Sequence, residues 1–283
     1  MGCLQPYHGQ IIEDHEEYVE AVRIRLGAGG PIDGGICSNC GERSLDRAGG
    51  HATCCAIGES TRGHNALRDT VFTFAKIADP SAELEPENLI PSRPRDRPAD
   101  VLTAAAPGCV AALDIGVASP AAASVGGGDA AEAMWKRKVD ERAPFSAELA
   151  QAGIRYRPFV FTTYGRPHPA ASEAIAHIAK VAARRKGWAA KGVEKRLRAC
   201  IGTVLARRAA RMSLATRPHA EVESMPDVTK HFEDDPGAPL RSGMMSSAQP
   251  SASRVAGTGP VVALVTSIGG ATRAAAVDIR LQP

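Results

Sequence analysis

Residues 37–55 read CSNCGERSLDRAGGHATCC, which places four of the chain's seven cysteines in one short stretch. Cys37 and Cys40 are separated by two residues, so a tight knuckle can turn both thiolates onto one ion, and Gly41 suits that turn. His51 and Cys55 complete a C-x2-C-x10-H-x3-C spacing, the four N and S donors of a closed tetrahedral zinc site. Cys54 is an alternative to Cys55, and His64 is a further candidate donor. A closed site of this kind is structural and leaves no position for chemistry. The plainer alternative is buried cysteines beside surface histidines, but the paired spacing favours the metal. The cysteine total is odd and its members are clustered. The acidic start lacks an apolar leader, which points to a reduced compartment. An intracellular, nuclear location is expected.

The 283 residues suffice for one ample core or two small ones. Apolar content is 44%, much of it alanine, and aromatic content is 4%, so the area buried per residue should be modest. No apolar run is long enough to span a bilayer, and no membrane partner is expected. The opening MGCLQP only partly fits a myristoylation pattern, because Pro6 stands where Ser or Thr is required.

The apolar spacing of Tyr18, Val19, Val22 and Leu26 predicts a short helix over 13–26. A second stripe over 64–78 uses Leu67, Val71, Phe74, Ala75 and Ala78. After a proline-rich connector, ADVLTAA and CVAALDIGV read as a hairpin of two strands around APG. Asp129 is a natural N-cap for the helix DAAEAMWKRKVDERA, which Pro144 breaks or kinks. IRYRPFVFTTYG (154–165) reads as a third strand, and two further helices follow. A helix between the second and third strands implies a right-handed crossover. The expected fold class is therefore α/β, a small mixed sheet flanked by helices, with an N-terminal zinc knuckle. Four segments result: a helix and linker (1–30), the knuckle (31–63), the α/β domain with its basic C-terminal helices (64–217), and a tail (218–283). The tail is rich in Ser, Pro and Gly and is expected to be disordered, with at most an isolated hairpin near its end.

Each hairpin strand carries an aspartate in an apolar setting. Asp100 begins one strand and Asp114 lies near the end of the other, ends that meet in an antiparallel pair. Buried carboxylates are costly unless paired or bound to a cation, and two of them with phosphate oxygens suffice for Mg2+. The next helix supplies Lys136 and Lys138, either of which could orient water or steady a phosphate. The alternative is that Asp100 caps a turn near Arg97 and Asp114 pairs with a lysine. Farther on, 177–217 holds a dense basic run that includes Arg184, Arg185, Lys186, Lys195, Arg196, Arg207, Arg208 and Arg211. Its only acidic residue is Glu194, so the lopsided sign favours a nucleic-acid backbone, DNA or RNA, over a solvated face.

In order and spacing these motifs resemble a known family. The knuckle followed by TRGHNALRD is similar to the CCHC knuckle and HN-x-x-RD segment near the C-terminus of non-LTR retrotransposon polyproteins. RPADV, LDIGVASP, WKRKVDERA and YRPFVFTTYGRPHPAA resemble the elements that follow there, as EYVEAVRIRLGAG resembles the one before. The resemblance spans roughly residues 15–217. It implies a restriction-endonuclease-like fold of the PD-(D/E)xK type that nicks target DNA to prime reverse transcription. Carried over, Asp100 and Asp114 would bind Mg2+, Lys138 fits the family lysine better than Lys136, and His64, Asn65 and Asp69 match the HN-x-x-RD helix. Two departures stand out: Ala99 intervenes between Pro98 and Asp100, and Arg142 stands where a tyrosine often follows the lysine. The function implied is a metal-dependent DNA endonuclease with zinc and magnesium as cofactors and no small-molecule substrate. The alternative is a non-catalytic, zinc-containing nucleic-acid-binding remnant.

Overall fold

The computed structural model describes residues 11–27, 35–46, 49–122 and 128–217. The tail expected to be disordered, with its terminal hairpin, lies outside the described residues. At the centre is the hairpin. Strand β2 (Val101–Ala106) and strand β3 (Cys109–Ala118) pair antiparallel, with Val101 opposite Leu113. Pro107 and Gly108 make the turn, and Gly108 takes a positive φ of 71° that side chains disfavour. Strand β4 (Ile154–Thr162) adds parallel to β3, with Asp114 opposite Pro158. Proline has no N–H for a further neighbour, which suits an edge strand. A two-residue strand, β1 (Glu83–Leu84), pairs antiparallel with β2, giving the order β1-β2-β3-β4 in a mixed sheet.

Period-two alternation gives the sheet two unlike faces. Leu113 and Ile115 of β3, Val101 of β2 and Phe159 and Phe161 of β4 belong to the main core. Against them pack helix α3 (Ile57–Ala78) and helix α6 (Pro169–Lys186), and helix α7 (Ala190–Ala215) packs on those two helices. Alanines 171, 174, 179, 182 and 183 of α6 are buried there. Their short side chains let helices approach closely, which is how a chain poor in aromatics fills a core. On the other face lies α4 (Ala130–Arg142), whose Met134 and Lys138 pass over Gly116. A 3-10 turn over Ala143–Phe145 contains Pro144, and helix α5 (Ser146–Gln151) leads into β4.

The helix ends follow local chemistry. Asp14 caps α1 (His15–Leu26) by accepting from the Glu17 amide at 2.8 Å. Asp129 caps α4 by accepting from the amides of Ala131 and Glu132. His168 caps α6, whose first residue is Pro169. One boundary differs from the sequence reading. Helix α3 begins at Ile57, seven residues before His64, and only Ala56 separates it from the short helix α2 (Ala52–Cys55). Ala56 offers no capping side chain, so no start signal stands in the sequence. The described residues fall within one compact unit, and none of their helices is long and apolar enough to cross a membrane.

Candidate metal centre and acidic site

The knuckle turns where the sequence places it. The Cys37 amide donates to the Arg43 carbonyl at 2.8 Å, and the Gly41 amide, at φ 69°, returns to the Cys37 carbonyl. Asp46 accepts from the amides of Gly50 and His51 at 2.8 Å each, which aims the second half of the site. Cys37, Cys40, His51 and Cys55 then bring one donor atom each within 4.8 Å of one another. The Cys37 and Cys55 sulfurs are 3.7 Å apart, against about 3.8 Å for the edge of a tetrahedron with zinc–sulfur bonds of about 2.3 Å. Cys40 Sγ and His51 Nε2 are 3.4 Å apart, again close to a tetrahedral edge. These four residues could hold a metal such as zinc. Cys54 is exposed and outside the cluster, and His64 bonds elsewhere, so Cys55 is the fourth donor.

The electrostatics favour thiolate at the knuckle turn. The backbone amides of Glu42 and Arg43 hold the Cys40 thiol down to about 6. Burial pushes Cys55 up, while Asn39 opposes it by donating Nδ2 to the sulfur at 3.2 Å. The knuckle is anchored at two places: the Ser38 amide donates to Thr216 O at 3.0 Å at the end of α7, and Thr53 and Ser119 hydroxyls meet at 3.0 Å.

Asp100 and Asp114 occupy one end of the β2–β3 pair. Asp100 Oδ2 accepts the amide of Ile115 at 2.6 Å, so its carboxylate reaches the peptide that follows Asp114. Its Oδ1 lies 3.1 Å from His64 Nε2 on α3. Asp114 Oδ1 accepts Lys138 Nζ at 2.7 Å, and Oδ2 accepts the Tyr156 hydroxyl. Both carboxylates are mostly buried. Burial, and then the charge of Asp114, pushes the Tyr156 phenol far above its ordinary value, so it stays a donor. Of the two candidate lysines, Lys138 is the one that bonds Asp114. Asp69 is exposed and pairs with its neighbour Arg68. Tyr156 escaped sequence reading. Its signal was parity, because in the β3–β4 register it shares the sheet face of Asp114.

The basic helices divide. Arg184, Arg185, Lys186 and Lys195 are exposed around the corner where α6 ends and α7 begins, and Arg196 is half-buried. Arg207 and Arg211 instead face α1, where Glu17 lies 3.7 Å and 2.5 Å away. Arg208 is only 6% exposed, its stem against Gly63 of α3. Inclusion of Arg208 in an exposed backbone-binding surface is thus corrected: the side chain is enclosed, and Gly63 makes the room. A scan against protein-family models, and searches of curated proteins and of solved structures, returned no match.

Proposed function

We propose that this chain is a metal-dependent DNA endonuclease domain, restriction-endonuclease-like in fold and derived from a non-LTR retrotransposon, with a structural zinc knuckle. The observation that carries the reading is the setting of Asp114. In a D-x-K pattern the lysine stands two residues after the acid, and here that position is Gly116. The space where a Cβ would sit on Gly116 is crossed by Lys138 Cε, 2.8 Å away, and Lys138 delivers its ammonium to Asp114. A helical lysine thus fills the place of the strand lysine.

Asp100 and Asp114 fit a hard cation. They stand at neighbouring ends of β2 and β3, and each oxygen that accepts one hydrogen bond keeps a second lone pair for a cation. Magnesium held there would supply charge neutralisation at the scissile phosphate. Lys138 stands beside it to orient the attacking water or to steady the phosphate charge. In hydrolysis the water oxygen bonds to phosphorus, the bond to O3′ breaks, and the water proton ends on the departing 3′-hydroxyl. Tyr156 fixes the second oxygen of Asp114. The Cys3His set, closed by four donors, takes zinc as a structural ion. The exposed cations at the α6–α7 corner provide a place for the strand.

The test is nicking of supercoiled plasmid in Mg2+ by the wild-type chain and by Asp114→Ala. The proposal expects open circles from wild type alone, and equal nicking by both would refute it. A second reading is favoured by the same ion pair. Lys138 already neutralises Asp114, and the chain could bind nucleic acid at the basic corner without cutting. Salt-sensitive binding with no nicking by wild type would select that reading.

A further inference from the structure

A cavity of about 370 Å3 opens between α2, α3, the end of β3 and the start of α4. Its walls include Thr53, Ser60, Ser119, Met134, Arg137 and Arg208, and no Asp or Glu is among the described residues that line it. Arg208 is 94% buried, and a guanidinium keeps its charge in proteins. Its Nη2 donates to Ser60 Oγ at 2.6 Å, while Nε and Nη1 have no hydrogen-bond partner among the described residues. A buried cation without an anion is costly. Burial accordingly pushes Arg208 below its usual range. Arg137 adds a second guanidinium from α4, with its ion pair to Glu141 on the exposed helix surface.

We propose that this cavity is a phosphate-binding site, in which Arg208 and Arg137 hold a phosphate oxyanion and the Ser60 hydroxyl, which accepts from Arg208, donates its own proton to it. Charge-assisted bonds from arginine are the strong ones for such an anion, and the incoming charge offsets the uncompensated guanidinium. The volume matches a small-ligand pocket and leaves room for a sugar beside the phosphate. The alanine and Met134 walls suit that less polar part. Position supports a nucleotide phosphate. Helix α4 presents Met134 and Arg137 to the cavity and the adjacent Lys138 to Asp114. The site does not require cleavage at Asp114, and it stands or falls separately from the endonuclease reading.

The experiment is calorimetric titration of the full chain with inorganic phosphate, without divalent cations and at constant ionic strength set with chloride. Wild type should bind saturably, and Arg208→Gln should weaken binding about tenfold or more, the scale of a hydrogen bond to a charged group. Because Arg208 is buried, Arg137→Gln provides a second variant at a half-exposed position and should weaken binding severalfold. Competition identifies the source. Displacement by a 5′-mononucleotide assigns a terminal or free phosphate, and displacement by an oligonucleotide with hydroxyl ends assigns a strand phosphate. Either upholds the site. No saturable binding by wild type, or binding unchanged in Arg137→Gln and in a folded Arg208→Gln, overturns it.

Discussion

Cys40 and Cys55 stand a few ångströms apart yet are driven in opposite directions. Two backbone amides favour the Cys40 thiolate, while burial disfavours that of Cys55. Cys40 has a folded value of about 6 against an ordinary 9.0, a depressed pKa. Its contribution to metal-free stability is thus fully present above pH 9 and is lost as pH falls through 6. Cys55, raised, has the opposite sign: its contribution is present below the ordinary value and lost as pH rises past its folded one. In metal-free protein, alkylation followed by peptide mapping should give Cys40 a half-maximal rate near pH 6, with Cys55 reacting only at clearly higher pH. Coincident profiles for the two thiols would contradict this. A second residue-scale prediction concerns Gly116. A methyl group there meets the flexible end of Lys138 and not backbone, so Gly116→Ala should cost less than about 1.5 kcal/mol in stability. It should nevertheless displace the ammonium from Asp114 and lower plasmid nicking about tenfold or more, as expected when a positioned charged group is lost. Unchanged nicking would show that Lys138 takes no part.

Among elements, α1 and α7 are joined mainly by charge. Glu20 is 1% exposed and accepts Ser213 Oγ at 2.6 Å and an Arg217 guanidinium nitrogen, while Glu17 lies between Arg207 and Arg211. Removing one member of a buried pair leaves the other uncompensated. Glu20→Ala should therefore destabilise the fold by roughly 2–4 kcal/mol, read by chemical denaturation, given that Arg217 keeps some exposure. Loss below about 0.5 kcal/mol would place the pair among ordinary surface ion pairs. This contact also shows what sequence reading could reach. Helix α1, the hairpin, α4 with its Asp129 cap, β4 and the last two helices were legible, because each has strong periodicity or a capping residue. The start of α3 was not, since Ala56 caps nothing and IGESTRG reads as loop. Nor was β1, two residues long within a proline-rich connector. The four metal ligands could be read from spacing alone. Arg208 could not, because an arginine among arginines signals surface, and only Gly63, seven residues into another helix, records its burial. Acidic α1 against basic α7 was a signal that went unused.

At the scale of the whole molecule, two sites of different chemistry sit on one framework. The knuckle offers soft donors and is pinned to the end of α7 and, through Thr53 and Ser119, to the end of β3. The acidic pair offers hard donors at the end of the β2–β3 pair away from the hairpin turn, with Lys138 of α4 bonding Asp114 and His64 of α3 bonding Asp100. The main core is built from sheet and helices and contains none of the four knuckle ligands. Metal preference should follow donor type, so the two sites should sort zinc from a magnesium substitute without exchange. The most direct test is anomalous diffraction from crystals grown with Zn2+ and Mn2+, collected at both metal edges. The account predicts one zinc peak among Cys37, Cys40, His51 and Cys55, and one manganese peak coordinated by Asp100 and Asp114 together. Manganese absent from that pair, or held by one aspartate while the other faces away, would contradict it.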